Sequence, residues 1–274
     1  MSLIQAVILG IFQGIAEFLP ISSSGHLALL QHLFGIEEGN LFFTEMLHFG
    51  TLISIFIVYF KDIKKIIYEI FILIGDIIKG RRKKLTAHQK LGLFVLTGSI
   101  PTAIIGLLFE DFFENLYTSI LPIGIAFIVT GFLLYFAERK TSKNRKIEDM
   151  NLMDSLVVGT CQGIAIIPGI SRSGSTIVAS LFRGLNKSLA TEYSFLLALP
   201  AIFGAFLLGI IDVFKEGPNI VMINAPLIVG VILSAVVGVI SIKTFIKVLK
   251  NNNLHYFSYY LWIVGIITVI TQLI

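Results

Sequence analysis

Six apolar runs govern what this 274-residue chain can fold into. They are Leu41–Phe60, Leu91–Phe109, Ile120–Ala137, Tyr193–Val213, Val221–Ile242 and Tyr256–Ile274. Each approaches or reaches the roughly 20 residues that a helix needs to cross the hydrocarbon core of a bilayer. Only 14% of residues are charged, against about 25% in ordinary soluble domains. Mean hydropathy is +0.89. A β-barrel would need alternating strands, which are absent. The chain reads as an all-α polytopic membrane protein.

Charge gives the orientation. Nine Lys or Arg fall within Lys61–Lys90, five within Arg139–Lys146, two at Arg183 and Lys187, and three within Lys243–Lys250. By the positive-inside rule these clusters face the cytoplasm. The acidic stretches Ile36–Asn40 and Glu110–Asn115 then face outward. The net charge of +4 therefore reports topology and contact with anionic lipid, and nucleic acid is not expected as a partner. No Lys or Arg precedes Lys61, so no cleavable signal peptide is expected. Both termini are expected outside. Cys161, the single cysteine, excludes an internal disulfide and reads as a packing residue.

The segment 152–187 must leave the cytoplasm and return to it if the following span is to end outside. It is expected as a re-entrant hairpin, and a related phrase near the N-terminus as a second one. QGIAEFLPISSSGH (Gln13–His26) and QGIAIIPGISRSGS (Gln162–Ser175) match at an offset of 149. Over residues 10–25 against 159–174, nine of sixteen positions are identical. That agreement marks a duplication. The copies start on opposite sides of the membrane, which is the pattern of an inverted-topology repeat. The expected architecture is one membrane domain, 1–274, with halves of about 1–146 and 152–274. It has six full transmembrane helices and two re-entrant helical hairpins.

Broken backbone and polar side chains at membrane depth are tolerated where protein or a water-filled cavity surrounds them, and they mark functional sites. The two copies differ where chemistry needs asymmetry. Glu17 stands opposite Ile166, Ser23 opposite Arg172, and His26 opposite Ser175. One hairpin brings an acid and an imidazole, the other a guanidinium and hydroxyls. Each returning half-helix offers an N-terminus that favours an anion. Together these describe a phosphate site. Glu45 and His48, one turn apart, either reach that cavity or pair with each other.

QGIAEFLPISSSGHL (Gln13–Leu27) and PGISRSGSTIVASL (Pro168–Leu181) resemble the two signature regions of the undecaprenyl-diphosphate phosphatase family, the membrane type linked to bacitracin resistance. TEMLHFGTLISI (Thr44–Ile55), GSIPTAIIGLLFED (Gly98–Asp111) and the segment Tyr193–Ala205 extend the resemblance over nearly the whole chain. The resemblance implies removal of the terminal phosphate of a C55 polyprenyl diphosphate at the cytoplasmic membrane. The product is the monophosphate carrier for cell-wall polymers, and the site is expected to open toward the outer face. It also implies a divalent cation, Mg²⁺ or Ca²⁺, and a possible homodimer. The family's acidic pair falls on Gln13 and Glu17, its serine and histidine on Ser23 and His26, and its PGxSRSxxT motif on Pro168–Thr176. Gln13 replaces a family glutamate, so it offers a metal only a neutral carbonyl oxygen.

The expected chemistry follows from phosphoryl transfer being chiefly positioning and charge neutralisation. Arg172 clamps the diphosphate; Ser171, Ser173 and Thr176 donate hydrogen bonds, and Gly169 and Gly174 complete the expected substrate-binding set. Glu17, four residues from Gln13 and on the same helical face, holds the cation. The attacking group is His26, Ser23 or a water activated by either. A pKa near neutrality favours His26. Two other classes compete. A transporter that moves polyprenyl phosphate could use the same inverted scaffold. The type-2 phosphatidic-acid phosphatases share SGH and SR elements, but their spacing requires His where this chain has Val178, which discards them.

Overall fold

The computed structural model describes residues 1–36, 41–81, 83–117, 119–138, 144–216, 224–250 and 254–274. Among them are twelve α-helices and one 3-10 turn, Ile147–Asp149, with no strand beyond an isolated bridge between Arg145 and Leu185. In chain order the helices are α1 (Leu3–Ala16), α2 (Ser23–Leu33), α3 (Leu41–Val58), α4 (Phe60–Ile78), α5 (Ala87–Leu108) and α6 (Glu110–Tyr117). There follow α7 (Ile120–Glu138), α8 (Leu152–Ile164), α9 (Arg172–Phe182), α10 (Lys187–Glu216), α11 (Ala225–Lys250) and α12 (Leu254–Leu273).

Among the described residues five helices are long and apolar enough to cross a membrane: Ala87–Leu108, Ile120–Ala137, Lys187–Ile211, Ala225–Leu249 and Leu254–Leu273. The protein is therefore an all-helical, multi-pass membrane protein. The expected span Leu41–Phe60 is corrected in part. Helix α3 stops at Val58, and the chain bends by 80° into α4; the pair counts as a span only when taken together. The bend falls where Lys61, Asp62, Lys64 and Lys65 follow one another, because charges so dense are costly in hydrocarbon. Apolar residues at 63, 66, 67, 70, 71 and 74 keep the helical period through the segment whose basic residues marked it as cytoplasmic. Glu110–Asn115, expected to face outward, forms the start of α6. Of Ile36–Asn40, Arg139–Lys146 and Val221–Ile242, residues 37–40, 139–143 and 221–223 lie outside the described residues.

Several helices begin outside the apolar run that announced them, because polar caps set their start. Thr86 caps α5 with Gln89 closing the box, and Asn151 does the same for α8 with Asp154. These caps satisfy amides that would otherwise lack partners.

Helices α1 and α8 hold 14 and 13 residues. At about 1.5 Å per residue neither is long enough to cross the roughly 30 Å hydrocarbon core. Each is pressed onto a long helix through glycines at matching positions. A Cβ on Gly10 would stand 2.6 Å from the Gly230 carbonyl oxygen of α11, and one on Gly159 only 1.9 Å from that of Gly98 in α5. One turn on, Gly14 abuts Ser234 and Gly238 of α11, while Gly163 abuts Ile105 of α5. Backbone contact of this kind requires the absence of a side chain. Helices α7 and α12 pair in the same way, with a Cβ on Gly265 lying 2.8 Å from the Gly124 carbonyl oxygen.

The largest apolar core lies beneath the two hairpin turns. Phe18, fully buried, meets Phe195 of α10 edge-on at 5.4 Å, and Leu52, Ile55, Ile242 and Phe245 surround them. The residue next to Glu17 is thus anchored deep in the protein, which fixes where the carboxylate can point.

On the side that carries the basic clusters, Asp154 is fully buried beneath two arginines. Arg145 Nη2 donates to its Oδ2 at 2.7 Å and Arg183 Nε to its Oδ1 at 2.6 Å. Arg145 also donates to the Arg183 carbonyl at 2.7 Å. This cluster ties the segment before α8 to the end of α9 and so closes the base of the second hairpin.

Candidate active site

The first hairpin breaks after Ala16. Glu17 sits at the C-cap of α1, with its amide still donating to the Gln13 carbonyl at 3.0 Å. The chain then turns through Pro20, which cannot continue the helix, and re-enters helix at Ser23 with Ser22 as N-cap. The second hairpin breaks after Ile164 and resumes at Arg172, with Ser171 as N-cap accepting the Gly174 amide at 3.1 Å. Ser23 and Arg172 are therefore the first residues of their half-helices. The two turns touch. A Cβ on Gly25 would lie 2.8 Å from Gly169 Cα, and one on Gly174 would lie 3.3 Å from Pro20 Cβ. Ser173 Oγ donates to the Leu19 carbonyl at 3.3 Å.

This contact brings Glu17 and Arg172 together across 155 residues of chain. Arg172 Nη2 donates to Glu17 Oε1 in a short ion pair. The other oxygen, Glu17 Oε2, accepts from Ser23 Oγ at 2.5 Å and from Gln13 Nε2 at 3.0 Å. His48 Nε2, from α3, stands 3.6 Å from the same oxygen. Glu17 is 5% exposed and Arg172 16%, while Ser23 is half-buried. Two polar atoms in this cluster are buried without a partner: Arg172 Nη1, a donor, and Gln13 Oε1, an acceptor. Orphan groups of this kind are rare and call for an explanation such as a ligand or an ion.

The other expected residues are placed differently. His26 is buried and lies in an aromatic nest of Phe12, Phe127 and Tyr260, with ring centroids 5.1, 4.7 and 5.5 Å away. Its Nδ1 meets the Ser22 carbonyl at 2.9 Å and its Nε2 the Tyr260 hydroxyl at 2.8 Å. Both ring nitrogens are engaged away from Glu17. The hydroxyls expected to meet phosphate are also taken up by the fold. Ser171 caps α9, Ser173 bonds Leu19, and Thr176, fully buried, contacts the Arg172 carbonyl at 2.9 Å and Ser194 Oγ at 2.5 Å. Gly169 adopts φ +92°, a turn that favours glycine, and a Cβ there would stand 2.6 Å from the Ile123 carbonyl oxygen.

Glu45 and His48 part company. His48 turns to Glu17, with Nδ1 on the Thr44 carbonyl at 2.8 Å, while the Glu45 carboxylate lies over Gly209 of α10, where a Cβ would overlap it. Thr51, within 3.5 Å of Gln13 Nε2, and Tyr260 were not singled out by sequence. Neither lies in a repeated phrase, and both look like ordinary span residues.

The chain is 49% identical to an undecaprenyl-diphosphatase of Alkaliphilus metalliredigens, with all of both chains covered. It is 44% identical to one of Halothermothrix orenii, over 98% of each chain. It is 42% identical to one of Methanosphaera stadtmanae, over 100% of this chain and 99% of the relative. The family model described as bacitracin resistance protein BacA matches residues 6–267. Coverage this complete, with both hairpins inside it, means that the chain belongs to the BacA bacitracin resistance protein family.

Proposed function

We propose that this protein is an integral membrane phosphatase that hydrolyses undecaprenyl diphosphate to the monophosphate and inorganic phosphate, using the cluster where the hairpins meet. The carrying observation is the divided guanidinium of Arg172. One nitrogen holds Glu17, and the other is buried with no partner. A buried, unpaired cationic donor is costly and suits an anionic oxygen. The N-terminus of α9, whose first residue is Arg172, adds amides and a favourable dipole. The relatives are undecaprenyl-diphosphatases, which supports the same substrate.

Ser23 is the attacking group in this reading, since it is half-buried and already donates to Glu17. Its Oγ forms a bond to the terminal phosphorus as the bond to the bridging oxygen breaks, and the polyprenyl monophosphate leaves. The Ser23 proton passes to Glu17 Oε2. Water then adds to phosphorus, Ser23 Oγ departs with the proton held on Glu17, and inorganic phosphate carries away the hydroxyl while the last proton goes to solvent. Arg172 neutralises charge on the transferred oxygens throughout. Ser171, Ser173 and Gly174 shape the turn that presents it.

Among the described residues no cluster of three or more His, Cys, Asp and Glu forms a metal cage. The unpaired Gln13 Oε1 beside Glu17 nevertheless fits a divalent cation, Mg²⁺ or Ca²⁺, which these two residues would hold. Such an ion would lower the negative charge that Ser23 meets.

The inverted-topology repeat with two re-entrant hairpins, in halves of about 1–146 and 152–274, is part of the same proposal. Its support is the matching pair of short helices, each pressed through glycine onto α11 or α5. The site then opens to the outer face of the cytoplasmic membrane, and a homodimer is compatible with it.

The test is release of phosphate from undecaprenyl diphosphate by the detergent-purified protein. Wild type should turn over, and Ser23→Ala and Arg172→Ala should not. Binding of the lipid with no phosphate released would instead point to a transporter on the same scaffold.

A further inference from the structure

The two hairpins share sequence but not backbone at their turns. Gly169 supplies the left-handed residue of the second turn at φ +92°. The matching position in the first is Pro20, whose ring forbids that conformation. The left-handed residue falls instead at Ser22, with φ 66° and ψ 90°. A non-glycine residue held there is strained, and strain of this kind persists only where surrounding contacts over-determine it. Ser22 directly precedes Ser23 and so sets where its Oγ points.

Ser22 Oγ accepts the Gly25 amide at 3.4 Å and lies 3.4 Å from Ser24 Oγ, while the Ser22 carbonyl is held by both the amide and the ring of His26, at 3.2 and 2.9 Å. A carbonyl can only accept, so His26 Nδ1 carries a proton and donates it to the Ser22 carbonyl at 2.9 Å. In the neutral ring Nε2 is then an acceptor, and the Tyr260 hydroxyl, 2.8 Å away, donates to it. Phe12 and Tyr260 stack on the imidazole, with interplanar angles of 27° and 11°. The ring is locked in position and orientation by a helix 234 residues away in the chain. We propose that Tyr260 and His26 form a positioning relay that clamps the strained Ser22 elbow and thereby aims Ser23 at the diphosphate. This rests on the reading of Ser23 as the attacking group. Tyr260 acts through His26, and His26 through the backbone; neither exchanges a proton with substrate.

The experiment measures kcat and KM for undecaprenyl diphosphate with purified Tyr260→Phe, His26→Asn, His26→Ala, the double variant Tyr260→Phe/His26→Asn, and Ser23→Ala. Asparagine places an amide donor near the position of Nδ1 but has no acid–base function. Loss of one hydrogen bond in the relay should lower kcat about tenfold in Tyr260→Phe with KM little changed. His26→Asn should fall by a similar factor and His26→Ala much further. The double variant should be no worse than His26→Asn, because both changes cut one chain of contacts. A His26 that serves as base or nucleophile would instead lose about 10²–10⁴ in both Asn and Ala variants. That result, or a Tyr260→Phe enzyme with wild-type kcat, overturns the relay while an inactive Ser23→Ala leaves the Ser23 reading standing. An active Ser23→Ala overturns both. Thermal melting in detergent identifies a variant that has merely unfolded; the two milder changes, Tyr260→Phe and His26→Asn, decide the question if His26→Ala does not fold.

Discussion

Replacing Arg172 tests activity and stability separately. Arg172→Lys keeps the charge, but one ammonium cannot occupy the places of both Nη2 on Glu17 and the unpaired Nη1. It must serve the carboxylate or the phosphate. Loss of one main transition-state donor costs about 10²–10³ in kcat, or about 2.7–4 kcal/mol of barrier. Arg172→Ala loses at least as much activity and also strands Glu17. That carboxylate is 5% exposed, and a buried charge stripped of its partner costs about 3–5 kcal/mol of stability. Removing the charge as well, in Glu17→Gln/Arg172→Ala, should restore much of that stability while leaving activity no better. Phosphate release and detergent-phase thermal melting of the four proteins measure both arms. An Arg172→Lys enzyme within a fewfold of wild type would refute the divided guanidinium. A double variant that melts no higher than Arg172→Ala would refute the account of Glu17 as a buried, paired charge.

Further outcomes follow from other parts of the molecule. Gln13→Glu should raise the midpoint shift that Mg²⁺ or Ca²⁺ produces in thermal melting, and lower stability without metal, since it sets a second carboxylate beside Glu17; an unchanged metal response argues against Gln13 as a ligand. Asp154→Asn should cost about 3–5 kcal/mol, read by melting temperature, because it leaves Arg145 and Arg183 facing a neutral buried group. Burial acts to raise the Asp154 pKa, but hydrogen bonds from Arg145, Asn151 and Arg183, with the Arg145 charge, hold it below the usual carboxylate range. Its contribution is therefore present above about pH 4 and fades as pH falls through the lower folded value. Wild type should lose stability over that window more steeply than Asp154→Asn. In a Cys161→Ser background, cysteines at Ser2 and Glu114 should react with an impermeant reagent in intact cells, and cysteines at Lys64 and Lys83 only after permeabilisation. Labelling of Ser2 from inside alone would remove the outward-entering first hairpin.

Much of this protein is legible along the chain because its solvent is lipid. Hydrocarbon enforces long apolar helices, so Ile120–Ala137 was readable to the residue, and the matched glycines at 10 and 159 announced two short helices of one kind. Glu17, Ser23 and Arg172 stood out because polar groups are rare at that depth. Hydropathy locates the part of a helix in lipid but not its polar ends, which caps such as Thr86 and Asn151 decide. It also could not separate α3 from α4, because the bend at Tyr59 has neither proline nor glycine to mark it.

The partners across the fold were decided only in three dimensions. His26 and Ser23 lie three residues apart on the same short helix, yet Ser23 turns to Glu17 and His26 to Tyr260. Sequence grouped them as one polar phrase and favoured the histidine on pKa alone. Three residues are nearly a full turn of helix, so the two side chains leave from neighbouring faces, and which one meets substrate depends on what stands opposite each. Thr176 was assigned to phosphate by its motif but points to Ser194, and of the pair Glu45 and His48 only the fold shows that it is His48 that turns to Glu17. A local pattern can state which groups are too polar for lipid. Their direction is set by long-range packing, here the interlock of two hairpin turns separated by about half the chain.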